Sequence, residues 1–163
     1  MAEKVGVYVC HCGSNIAGKV DVEDVAKWTG ENVKDVAVSR DYKFMCSALG
    51  QQLVEDDIKK EGLTRVVVAA CSPHLHEKTF RRACSNAGLN PYVMDMTNIR
   101  EHCSWVHADK EAATAKAKAL VAASAERVKY HEPLAPTTEH VNPATLVVGG
   151  GIAGLQATIA EAD

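Results

Sequence analysis

Aromatic residues make up only 5% of the 163 positions, so the core must come from the Val, Ala, Leu and Ile of a 47% hydrophobic composition. No run approaches the roughly 18–20 apolar residues of a membrane-crossing helix. Met1-Ala2-Glu3-Lys4 has none of the features of a signal peptide. A formal charge of only −3 gives no electrostatic reason to expect nucleic acid or an acidic lipid surface as partner. Cys-x-x-Cys pairs, the mark of zinc ribbons and ferredoxins, are also missing. The expectation is a cytoplasmic protein in which disulfides are disfavoured. Its six cysteines therefore need another explanation.

What is present is one pattern written four times. Val5–Val9 is an apolar, β-branched run that ends in Cys10-His11-Cys12-Gly13. Val36–Val38 leads to Cys46, Arg65–Ala70 runs straight into Cys71, and Tyr92–Met96 precedes Cys103 by seven residues. Each run reads as a strand, with helical sequence between them. The fold expected is α/β: an open, mostly parallel, Rossmann-like sheet with helices on its faces. Ligands of such sheets bind at the carboxyl ends of the strands. Cys10, Cys12, Cys46, Cys71 and Cys103 should therefore converge in space. Cys84 falls inside a helical stretch and reads as a small buried hydrophobe.

The alternation is regular. Asp21 is a candidate cap for a helix through Trp28, with Gly30 as a break before a strand over Asn32–Val38. Ser47 should cap a helix whose apolar face carries Leu49, Leu53, Val54 and Ile58, closed by Gly62. Ser72 and Pro73 read as cap and first residue of the next helix, which places Cys71 where a helix dipole favours a thiolate. His74 and His76, two apart, do not share a helical face and read as solvent-facing or supporting residues. Thr97–His107 is rich in polar groups and could begin a helix carrying Cys103. Asp109–Lys129, Ala-, Lys- and Glu-rich, is a long helix covering one face of the sheet.

Composition changes at Glu132. Residues 1–131 form the expected first domain and 132–143, with three prolines, a stiff linker. Residues 144–163 open a second module: a strand over Ala144–Val148, then Gly149-Gly150-Gly151-Ile152-Ala153-Gly154 and a helix from Leu155. Gly149, Gly151 and Gly154 satisfy the dinucleotide-binding G-x-G-x-x-G in its proper context, after a strand and before a helix. The acidic ribose-binding residue expected about 20 positions later is not in the sequence, so this reads as the start of a dinucleotide-binding domain.

For the thiols, three chemistries fit the residues: an iron–sulfur cluster, zinc in a module that docks a partner, or a metal-free dithiol relay using Cys10 and Cys12 with Cys71 as an activated nucleophile. Four thiolates around a cubane would suit Cys46, Cys71, Cys103 and one of Cys10 and Cys12. Spacing alone does not separate these options. Arg100, His102, Ser72 and the backbone N–H groups after Cys12 and Cys71 are candidate donors to sulfur, with Trp105 and Met45 packing around the site.

Val9–Gly18, Ala69–Pro73, Asn98–His107 and the closing Gly-Gly-Gly-Ile-Ala-Gly resemble, in order, the N-terminal part of the A subunit of CoB–CoM heterodisulfide reductase and its bacterial relatives. The resemblance runs along nearly the whole chain. It implies part of an oxidoreductase, with a [4Fe-4S] domain whose ligands are among Cys10, Cys12, Cys46, Cys71 and Cys103, ahead of an FAD domain of thioredoxin-reductase type. It implies electron relay to or from that flavin in an electron-bifurcating complex of anaerobic, methanogenic metabolism. The partners implied are other heterodisulfide reductase-type subunits and a hydrogenase- or formate dehydrogenase-type donor; a homodimer is left open. The flavin and bifurcation belong to the full-length parent, and for this chain the role implied is that of an electron carrier.

Overall fold

The computed structural model describes residues 3–162. Four strands, β1 (Val5–Cys10), β2 (Val36–Tyr42), β3 (Arg65–Ala70) and β4 (Met94–Asn98), form one sheet in the order β2-β1-β3-β4. Every neighbouring pair is parallel, with Val7 opposite Val67 and Val68 opposite Met96. The α/β class read from the sequence is the fold observed. Helices α1 (Ser14–Ala17), α2 (Val22–Asn32), α3 (Ala48–Glu61), α4 (Pro73–Asn86) and α5 (Lys110–Arg127) connect and cover the strands. A π-helical turn, Arg100–Ser104, follows β4.

Because side chains alternate along a strand, the two central strands feed two separate cores. Val5, Val7, Val9, Val67 and Ala69 pack under α2 and α5, together with Ile16, Ala113, Ala117 and Val121. Tyr8, Cys10, Val66, Val68 and Ala70 point the other way, onto Val54, Ile58, Phe80 and Cys84 of α3 and α4. β1 is buried along its whole length, which is why it reads as one continuous apolar run.

The departures from expectation fall at the edges. β2 begins at Val36, not Asn32, and reaches Tyr42, because α2 continues through Gly30 to Asn32 and Asp35 turns the chain at φ 66°. As an edge strand, β2 is only half buried, and its extent follows its pairing with Val5–Cys10 instead of its own hydrophobicity. β4 starts two residues later than Tyr92, since the Tyr92 N–H is donated to the Asn90 side chain in a turn. Leu49 is 72% exposed, not inward: α3 lies so close to Met45 that only Gly50 fits at the contact, and the buried face runs through Gly50, Val54, Asp57 and Ile58. Asp21, Ser47 and Asp109 do cap their helices, but Ser72 makes no side-chain cap bond and is bonded through its carbonyl to the Leu75 N–H.

Beyond the short helical turn Val128–Tyr130 the chain runs without regular structure to α6 (Ile152–Ala162), none of whose described side chains is buried. The strand expected over Ala144–Val148 does not form. A strand needs a neighbour to take its N–H and C=O groups, and no described strand lies beside it.

Candidate metal centre at the carboxyl edge of the sheet

The order β2-β1-β3-β4 has a switch point between β1 and β3: the chain leaves β1 toward β2 on one side and β3 toward β4 on the other. At such a point the outgoing loops part and open a crevice. Here the crevice is a cavity of about 220 Å³ lined by Cys10, Cys12, Cys46 and Cys71. Cys10 ends β1 and Cys71 follows β3, both buried; Cys12 and Cys46 are partly exposed. Arg100, His76, Asn15, Phe44 and Phe80 complete the lining, over buried Met45.

The loop carrying the first two thiols is tightly held. The His11 and Gly13 N–H groups are donated to the Tyr42 and Lys43 carbonyls, and His11 Nε2 lies 2.7 Å from Asp41 Oδ2. Cys12 takes φ 50°, a left-handed conformation that a side chain adopts only when its surroundings enforce it. That turn aims the Cys12 N–H back at Cys10 Sγ, 3.3 Å away. From the opposite wall, Arg100 Nη1 donates to Cys12 Sγ at 3.6 Å.

Burial dominates the ionisation of these thiols. It raises the pKa of Cys10, and it pushes Cys71 up to about 11 against the pull of the Arg100 guanidinium. Burial is the larger influence on Cys71, and the Arg100 guanidinium opposes it. Bound metal would supply the positive charge that burial withholds. Among the described residues no three His, Cys, Asp or Glu side chains gather as ligands of a single ion. The four thiols surround a space instead of converging on a point.

The remaining candidates lie elsewhere. Cys103 is fully buried on the opposite face of the sheet, packed with Ile16, Ile99 and Ala113. Cys84 is fully buried beneath α4, and burial raises its thiol to about 12. His74 is exposed; exposed His102 and half-buried Ser72 line a different cavity beside β4, of about 420 Å³. Trp105 is 59% exposed and stacks on Arg100, its ring centre 4.7 Å from the guanidinium carbon. Asn15, Phe44, Phe80 and Glu101 carry no site role in the sequence reading. Phe80, which lines the cavity, lies seven residues into α4 on the face of its first turn, a signal helical spacing does carry. Glu101, which pairs with Arg100 at 2.8 Å, carries no such signal. Gly149, Gly151 and Gly154 do form a tight turn into α6: Gly149 sits at φ 116°, and a Cβ on Gly154 would collide with the Gly149 carbonyl.

Fold and site together define an α/β protein with a thiol-lined cavity at the switch point of a parallel sheet. No family model matches the chain. It is 54% identical, over 98% of its length, to the second iron-sulfur A subunit of CoB–CoM heterodisulfide reductase from Methanopyrus kandleri. It is 51% identical, over 96%, to a protein of Archaeoglobus profundus described as like the heterodisulfide reductase A subunit. Identity is again 51%, over 98%, to the A subunit of the H(2):CoB-CoM heterodisulfide,ferredoxin reductase of Methanothermobacter marburgensis. Along nearly its whole length the chain is similar to one part of proteins named as heterodisulfide reductase A subunits. It spans only 22 to 24% of the length of these relatives.

Proposed function

We propose that residues 1–131 hold a [4Fe-4S] cluster in the thiol-lined cavity and act as a one-electron relay in a heterodisulfide reductase-type oxidoreductase. The observation that carries this reading is the gathering of four cysteines from three separate β-to-α connections around one half-open space of about 220 Å³. Two features fit a sulfur-rich, negatively charged group. The donor set is all thiol, and the buried Nε of Arg100 has no hydrogen-bond partner of its own. Relatives named as iron-sulfur subunits lend independent support.

Cys10, Cys12, Cys46 and Cys71 are the ligands proposed. Cys103, on the far face, would reach the cavity only after the π-helical turn rearranged. When bound, the cluster supplies storage of one electron at a potential set by its surroundings. The protein's part is to hold the thiolates, to direct the Cys12 N–H and the Arg100 guanidinium at sulfur, and to limit water through Met45, Phe44 and Phe80. A single zinc ion fits less well, because the thiols do not converge on one point.

Gly149, Gly151 and Gly154 shape the turn of a dinucleotide site, and 132–143 connects it to the sheet. The described residues around that turn include no sheet to seat FAD, so the flavin, bifurcation and the docking of a hydrogenase- or formate dehydrogenase-type donor in the cytoplasm are proposed for the whole protein. The deciding experiment is an absorption spectrum of the chain purified without oxygen. A broad band near about 400 nm, bleached on reduction, supports the relay. A colourless, folded, iron-free protein contradicts it.

A further inference from the structure

We propose that Arg100, clamped by Trp105 and Glu101, raises the reduction potential of the centre held by the four cysteines; this rests on the cluster reading above. Arg100 is the one lysine or arginine lining the cavity among the described residues. Its guanidinium is fixed on three sides. Nη1 donates to Cys12 Sγ at 3.6 Å, Nη2 pairs with Glu101 Oε1 at 2.8 Å, and the plane stacks on the Trp105 ring at 4.7 Å. The Arg100 and Glu101 N–H groups are both donated to Asn98 Oδ1, which ties the start of the turn to the end of β4. The side chain is only 15% exposed, so its charge is weakly screened.

The guanidinium–carboxylate pair turns its positive end to the cavity, because Arg100 lines it and donates to Cys12 Sγ while Glu101 does not line it. Taking up one electron adds one negative charge to the site. A nearby guanidinium, together with its charge-assisted hydrogen bond to sulfur, stabilises the reduced state more than the oxidised one. Trp105 and Glu101 act as positioning residues, because neither lines the cavity. Trp105 is exposed, which leaves that side of the clamp open to contact from outside, whereas Glu101 is partly buried.

The test is a dithionite titration followed by EPR on anaerobically purified wild type, Arg100→Gln, Arg100→Lys and Trp105→Leu, with iron counted for each. Arg100→Gln should lower the equilibrium constant for reduction about tenfold, a shift of ~59 mV to more negative potential for one electron. Arg100→Lys, which keeps the charge but not the planar fork, should fall between. Trp105→Leu should shift in the same direction by less. Unchanged potentials in iron-replete variants would overturn the proposal and leave the cluster reading intact. Loss of iron in Arg100→Gln with unchanged potentials in Arg100→Lys and Trp105→Leu would also overturn it, by making Arg100 a structural residue. Wild type without iron would instead remove the cluster reading itself.

Discussion

Cys71 and Cys103 lie on opposite faces of the sheet: Cys71 packs with Met45, Phe80 and Cys10, Cys103 with Ile16, Ile99 and Ala113. Substitutions at the two should therefore differ in kind. Cys71→Ser should abolish the visible absorption of the anaerobically purified chain. Cys103→Ala should keep it and lower stability by about 1–2 kcal/mol through lost packing. Absorbance and denaturant unfolding, run side by side, check both. Loss of colour in a folded Cys103→Ala would place that thiol among the ligands.

Cys84 provides an internal control. It is fully buried, and burial raises its pKa from 9.0 to about 12. A raised pKa means that the folded state resists ionisation. Its contribution is full below about pH 9, the ordinary thiol value, and is lost as pH rises toward 12. Cys84→Ala should keep the cluster spectrum and show a shallower loss of stability between these limits. Urea midpoints across an alkaline pH series measure it.

Asp57 of α3 is a buried carboxylate held by Arg40 of β2 at 2.8 and 3.2 Å and approached by the Tyr8 hydroxyl at 3.4 Å. Arg40 is half exposed while Asp57 is not, so removing the arginine strands a charge inside. Arg40→Ala should destabilise the fold by ~2–4 kcal/mol, and Asp57→Asn in that background should restore part of the loss. Thermal unfolding of the single and double variants measures the recovery.

Residues from 132 onward bury almost nothing, and the Asn90 side chain bonded to the Leu134 carbonyl is one of few ties to the sheet. A chain ending at His131 should keep its melting temperature within about 2 °C and its spectrum unchanged. A large fall in either would show that α6 or the linker supports the sheet.

How much of this could be read beforehand divides along physical lines. β3 matched its expected span, Arg65 to Ala70, because a strand buried on both faces has no choice but to be apolar. Edge strands β2 and β4 were displaced, since their limits come from a neighbour and from turns at Asp35 and Asn90. Convergence of Cys10, Cys12, Cys46 and Cys71 followed from topology alone, because parallel strands bring their carboxyl ends to one edge. The side of the sheet occupied by Cys103 did not. It depends on a π-helical turn whose wider spacing breaks the 3.6-residue period that sequence patterns report. Nor does any local signal link Arg100 to Cys12, 88 positions apart.

Counting iron and acid-labile sulfide in the anaerobically purified chain reaches the centre most directly. Roughly four of each per folded chain are expected, falling to near zero in Cys71→Ser. A folded wild-type chain with neither, whether it carries zinc or no metal, would contradict a cluster at the switch point.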